Sequence, residues 1–371
     1  MFLQQDRLMP EEQVDHHHFH EILSLLKAMI GTPSFSGEES FPATLIQCFL
    51  QNRGVDTHRK LHNIWAFNKF YDPAKPTILL CSHHDTVKPD THYTNDPFRP
   101  MVIGDKLYGL GSNDAGGCLV ALLATFLHFY ERLNLPYNLC YAATAGKETS
   151  GENGLKLVLP DLGPLDFAIV GEPTLMNLAA TEKGLMVLDC TATEKSRHAA
   201  REEGDSAIYQ TLKDIEWFSS FTFPKVSCTL GLVKMSVTTI STNSPHLVVP
   251  GTCSFTVDIR MTDAYTSDEI LAVVRQHVNS TVKPRDFYLR PSMIGIDHPV
   301  VHTAITLGCK TYVSPETPDQ ALLNITSVKL GPGDSARSHM PDEYIFISEI
   351  RHGIKTYIQI LENIIFTLIN N

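Results

Sequence analysis

The sequence predicts an α/β fold: a mostly parallel sheet flanked by helices, with a smaller α+β split βαβ domain inserted into it. Three observations carry this. Short apolar runs alternate with helix-length stretches through the first half of the chain. Near residue 178 the character changes to strands of alternating or β-branched content. After about residue 288 the first pattern returns. The expected organisation is a discontinuous main domain over residues 1–177 and 288–371, with residues 178–287 as the insert.

Each element has a local reason. In residues 20–30, Ile22, Leu23, Leu25, Leu26, Met29 and Ile30 recur at helical spacing. Ser36 and Glu39 have capping-box spacing ahead of a second helical run through Leu50. Residues 77–80 form a short apolar run, as a buried strand does. Gly116 and Gly117 precede a helix-length apolar run over 119–129. Residues 137–144 and 167–170 again read as buried strands. In the insert, strands are expected at 185–193, 229–241 and 253–261, with helices at 207–218 and 270–278. An amphipathic helix over 350–369 closes the chain.

Composition excludes several classes. Apolar residues make up 43% and charged residues 19% of 371, enough to bury a large core. Lys plus Arg total 30 against 41 for Asp plus Glu, a net charge of -11. With no basic block, neither nucleic acid nor a membrane surface is an expected partner. No apolar run approaches the roughly 18 residues of a membrane span. The N-terminus lacks a basic start followed by an apolar stretch, so a cytoplasmic location is expected. The eight cysteines contain no CxxC pair and are expected to be reduced, buried small hydrophobes. His16, His17, His18 and His20 are expected on a solvated helix face.

The chemistry is suggested by position. Ile78-Leu79-Leu80 leads to His83-His84-Asp85-Thr86. Residues 137–144 lead to Lys147-Glu148. Ala168-Ile169-Val170 leads to Gly171-Glu172-Pro173, and Val328-Lys329-Leu330 to Gly333-Asp334 and His339. Gly111-Ser112-Asn113-Asp114 lies just before a helix. In an open α/β sheet, ligands bind at the carboxyl ends of strands. Each cluster alone has a plainer reading: a hydrogen-bonded pair, a helix cap, a turn, an exposed histidine. Together, His83, Asp114, Glu148, Glu172 and His339 supply two imidazoles and three carboxylates, which suit zinc or a similar divalent ion. Five ligands exceed the need of one tetrahedral site with an open position. They suit two ions bridged by one carboxylate. Asp85 could orient His83 from behind.

These motifs, taken in order with Glu148-Thr149-Ser150-Gly151 and Gly333-Asp334-Ser335-Ala336-Arg337-Ser338-His339, resemble the M20 metallopeptidase family. The resemblance spans nearly the whole chain and is closest to the branch of acetylornithine deacetylase and succinyl-diaminopimelate desuccinylase. It implies a zinc-exopeptidase-like main domain and an inserted lid and dimerisation domain, hence a homodimer. It implies two zinc ions, with cobalt as an alternative. Asp114 would bridge them, His83 and Glu172 completing one site and Glu148 and His339 the other. His198 would stabilise an oxyanion, and Arg260 would grip a substrate carboxylate. The implied activity is hydrolysis of an N-acetyl or N-succinyl group from an ornithine-like amino acid in arginine biosynthesis. One departure bears on mechanism. Lys147 stands where the family carries its general-base glutamate. At its ordinary pKa of about 10.4 a lysine cannot accept a proton at neutral pH. The alternative expectation is therefore a catalytically impaired zinc-binding homologue. Glu194, Arg197, Leu247 and Met340 also depart from the family pattern.

Overall fold

A computed structural model describes residues 16–149, 153–198, 206–242, 244–289, 291–295, 298–314, 319–323 and 325–369. The chain forms two compact units. The first comprises Met1–Ala180, Ile294–Tyr312 and Pro318–Asn371; the second comprises Thr181–Met293 with Val313–Thr317.

The first unit is built on strands that are apolar on both sides. Its sheet runs in the order His58–Lys60, Asn63–Phe67, Asn138–Thr144, Thr77–His83, Phe167–Val170, Thr326–Lys329 and Leu178–Glu182. Successive side chains of a strand face opposite ways. Thus Ile78, Leu80, Tyr141 and Ile169 join one core, with Leu26, Phe126 and Tyr357 from the helices His16–Ile30, Gly117–Tyr130 and Ile347–Ile369. Leu79, Cys81, Cys140 and Ala168 join another, beneath Leu155, Val158 and Leu162. This two-sided burial explains why the strands read as continuous apolar runs. Replacing Leu80 with Ala would cost about 2–5 kcal/mol.

The second unit follows the other strand logic. Gly184–Thr193 and Thr252–Met261 alternate buried and more exposed residues. The sheet is antiparallel, in the order Lys234–Ser241, Thr252–Met261, Gly184–Thr193, Thr281–Leu289. Helices Ala207–Ser220 and Ser267–His277 supply Phe218, Ile270 and Val274 to its larger core.

Three local expectations are corrected. The helix Ser40–Gln51 begins without a side-chain cap. Ser36 donates instead to Asp85 Oδ2 at 2.7 Å, a longer-range partner that outcompetes the local one. A capping box does form at Thr266 and Glu269. The expected strand over 229–241 starts only at Lys234, because Ser227 and Gly231 pair in a tight turn. The cysteines are free, but Cys48 and Cys228 are exposed and Cys309 is half-buried. His18 and His20 are exposed, and no helix among the described residues is long and apolar enough to cross a membrane.

Candidate metal centre

Parallel strand order sets the site. Thr77–His83 lies parallel to both Asn138–Thr144 and Phe167–Val170, and Thr326–Lys329 lies parallel to Phe167–Val170. Their carboxyl ends therefore meet at one edge. His83 ends its strand, and Glu172 follows Val170 by two residues. Glu148 sits in the turn Lys147–Thr149, and His339 in the loop beyond the turn Ser335–Arg337. Asp114 comes from the turn Ser112–Gly116, which leads into helix Gly117–Tyr130.

The five side chains converge as two groups of three. His83, Asp114 and Glu172 form one, and Asp114, Glu148 and His339 the other. Within each, one ligand atom per residue lies within 4.8 Å of the others. His83 Nε2 is 3.1 Å from Asp114 Oδ1 and 3.8 Å from Glu172 Oε1. His339 Nε2 is 3.3 Å from Glu148 Oε1 and 3.6 Å from Asp114 Oδ2. The two oxygens of Asp114 thus face different imidazoles, the arrangement a bridging carboxylate needs.

A surrounding layer fixes these groups. His83 Nδ1 faces the Asp85 carbonyl at 3.1 Å, which turns Nε2 toward the carboxylates. The Asp85 carboxylate accepts from Ser36 Oγ, Lys147 N and Glu148 N. Burial pushes its pKa up, but His83 and these donors outweigh burial and hold it well below the usual range. His84 turns elsewhere. Its Nε2 faces the His62 carbonyl at 2.9 Å, and burial pushes its pKa down to about 4. Asp114 is also held low. Burial opposes this, and Lys147 and His83 overcome it. Burial and the neighbouring Lys147 charge push His83 down, but Asp114, Asp85 and Glu172 lift it well above its ordinary value. A hydrogen bond to Glu148 raises His339, whereas burial raises Glu172.

Two supports carry signals too weak to read without the fold. Glu343 is buried and accepts from Gly111 N at 3.1 Å, Asn113 N at 2.8 Å and Asp114 N at 2.9 Å. Burial and the nearby Asp114 charge push its pKa up to about 8, against those three donors. Asn113 donates to the Asp334 carbonyl and accepts from Asp334 N, both at 3.0 Å. Gly333 at φ 92° makes room there, since a Cβ would come within 2.5 Å of Asn113 Oδ1.

Lys147 points into the centre. Its Nζ is 3.4 Å from Glu148 Oε1, 3.5 Å from Glu172 Oε1 and 3.7 Å from Asp114 Oδ1. His198 and Arg260 belong to the second unit. His198 lies in the short strand Arg197–His198, paired with Val248–Val249, and its side chain is outside the described residues. Arg260 forms two hydrogen bonds to Asp258.

The donor set fits a divalent pair. Three carboxylates packed this closely repel one another unless cations lie among them. Two imidazoles with nitrogens turned inward complete a mixed nitrogen and oxygen cage suited to zinc-like ions. Paired histidine–carboxylate groups sharing one carboxylate, at the strand ends of an α/β sheet, define the class as metal-dependent hydrolases. The chain belongs to peptidase family M20/M25/M40, whose description matches residues 79–363. It is accordingly a metal-dependent amide hydrolase. It is 27% identical over 350 residues to a peptidase M20 domain-containing protein of Schizosaccharomyces pombe, covering 91% of this chain and 83% of that one. It is 28% identical over 386 residues to an acetylornithine deacetylase of Shigella sonnei, covering 92% and 97%. Its fold matches an M20 family metallo-carboxypeptidase from Sulfolobus solfataricus with a TM-score of 0.74 at 16% identity, over 92% of this chain and 98% of that one. A dinuclear metal-binding M20 peptidase of Bacillus subtilis matches at 0.69 and 13% identity, over 95% and 100%.

Proposed function

We propose that the protein removes an acetyl or succinyl group from an N-acylated ornithine-like amino acid, as a step of arginine biosynthesis, using two zinc or cobalt ions. One observation carries the reading: Asp114 turns one oxygen to His83 and the other to His339. The likeness to an acetylornithine deacetylase along almost its full length supports the substrate class. Ions held by His83, Asp114, Glu148, Glu172 and His339 would polarise the acyl carbonyl and acidify the attacking water.

The chain's own residues do the rest. Asp85 organises the site twice, holding His83 through its carbonyl and the Lys147–Glu148 backbone through its carboxylate. Lys147, as an ammonium, has three donors and no acceptor. It cannot take a proton from water, whose proton then passes to solvent, but it can donate to a developing oxyanion or to the departing amine and be reprotonated from solvent. His198 serves as a further oxyanion donor in this reading. Arg260 takes the substrate carboxylate by exchanging it for Asp258. The second unit acts as lid and dimerisation domain of a cytoplasmic homodimer, which sedimentation equilibrium tests.

The activity test is direct. Zinc-loaded protein is assayed for amine release from N-acetylornithine, N-succinylornithine and an unacylated dipeptide, beside Lys147→Glu. Turnover of an acylated ornithine without dipeptide cleavage supports the reading. Cleavage of the dipeptide alone replaces it with a dipeptidase of the same family. A gain of about 10²–10⁴-fold in Lys147→Glu, the usual worth of a general base, would mark the native chain as catalytically impaired.

A further inference from the structure

Lys147 competes for the oxygens that face the histidines. Its Nζ approaches Asp114 Oδ1 and Glu172 Oε1, the same two atoms that lie nearest His83 Nε2. In the other group it approaches Glu148 Oε1. There the Asp114 oxygen facing His339 is Oδ2, whereas the ammonium approaches Asp114 at Oδ1, on the His83 side. Lys147 is held in place as well. Its backbone N–H and that of Glu148 both donate to Asp85, and its side chain is 18% exposed. The stem therefore starts from a fixed point and ends among carboxylates.

An ammonium and a dication drawing on the same oxygens repel each other, and partial burial weakens the screening between them. We propose that Lys147 is a built-in competing cation of the metal centre. It neutralises the carboxylates of the His83 group and must be displaced when a divalent ion enters. It therefore weakens binding in the His83 group, where it approaches both carboxylate oxygens that face His83, more than in the His339 group, where its close approach is to Glu148 Oε1. Ion occupancy then becomes stepwise, with Lys147 setting the gap between the two affinities. The inference rests on the two-metal reading above and adds a role for a residue that reading leaves as a proton donor.

The test separates the groups by substitution in the full chain. His339→Ala leaves only the His83 group complete, and His83→Ala leaves only the other. Each background is prepared with Lys147 and with Lys147→Met. Cobalt(II) is titrated in, its visible absorption is followed, and bound metal is counted by mass spectrometry. Lys147→Gln is carried in parallel as a second uncharged variant, and circular dichroism confirms folding. The expected result is cobalt binding at least about tenfold tighter on losing the ammonium in the His339→Ala background, with a smaller gain in the His83→Ala background. Equal gains, or none, overturn the proposal while leaving the metal centre standing. If the native chain itself binds no cobalt, the two-metal reading falls and the competing-cation role falls with it.

Discussion

His83 is 1% exposed and ends a strand whose seven residues are all buried, whereas His339 is 49% exposed and stands in a loop at φ 59°. The two imidazoles face the same aspartate, but they are positioned by different physics. The first inherits its place from the sheet. Its strand is fixed by parallel neighbours on both sides, and Glu172 leaves the adjacent strand at the same level. The second has no strand beneath it. Its loop is pinned piece by piece. Arg337 forms two hydrogen bonds to Glu349, Asn113 grips the backbone at Asp334, and Asp342 accepts from Thr94 and Asn95. A ligand at a strand end therefore needs few helpers, and a ligand on a loop needs many. The helpers are side chains on one partner or the other, because a loop's backbone has no ladder to hold it.

Substitutions at four positions sharpen or break this contrast. The largest effect is expected from Asp114→Ala, which removes the ligand common to both groups. Bound metal should fall from two ions to none, with activity lost. Retention of one full equivalent, counted by mass spectrometry, would show that the groups do not depend on the shared carboxylate.

Glu343→Ala comes next. It leaves three N–H groups of the Asp114 turn without their acceptor, and should cost about 3 kcal/mol in urea unfolding. Its acid–base behaviour gives a second reading. The Glu343 pKa is raised in the folded metal-free chain, from 4.5 to about 8. The folded state therefore binds more protons than the unfolded state in that interval, and Glu343 makes stability fall as pH rises from about 5 to 8. Glu343→Gln should flatten that fall in the metal-free protein. An unchanged slope would assign it to other groups.

Asp85→Asn acts on both groups, because the lost carboxylate lies 3.4 Å from His83 Nδ1 and accepts from the Lys147 and Glu148 backbone. Metal affinity should drop by about 10–100-fold, the usual effect of losing a partner behind a ligand. The Asp85 pKa is depressed from 3.8, so its contribution is present above about pH 4 and lost as pH falls below that value. The acid limb of the unfolding profile should flatten in the variant. Smallest is Asn113→Ala, which unties the two loops at a cost of about 1 kcal/mol. It should weaken cobalt binding in a His83→Ala background more than in a His339→Ala background. The reverse order would contradict the account of loop-held and sheet-held ligands.

Some of this was open to a reader of the sequence and some was not. The runs at 77–80, 137–144 and 167–170 announced strands buried on both faces, because such strands carry no polar alternation. Polar clusters directly after them pointed to the ligand edge. The Ser36–Glu39 spacing misled, since Ser36 found a partner 49 residues away and no local rule weighs that competition. Glu343 carries no such signal. It lies four residues beyond a candidate ligand and ahead of an aromatic strand, Tyr344–Phe346, where nothing local marks it as an acceptor for residues 111–114. Asn113 was visible in its motif, but its role depends on residue 334, far along the chain.

Residue types and their order along the chain determined by themselves the strand and helix periods, the candidate ligand set and the lysine beside Glu148. These follow from local sterics and from burying apolar side chains at a period of two or 3.6 residues. Tertiary structure alone decided which oxygen of Asp114 meets which imidazole, where the Lys147 ammonium comes to rest, and which buried carboxylates hold the loops. Those are contacts across a few ångströms between residues tens to hundreds of positions apart, and only the packed sheet fixes such distances.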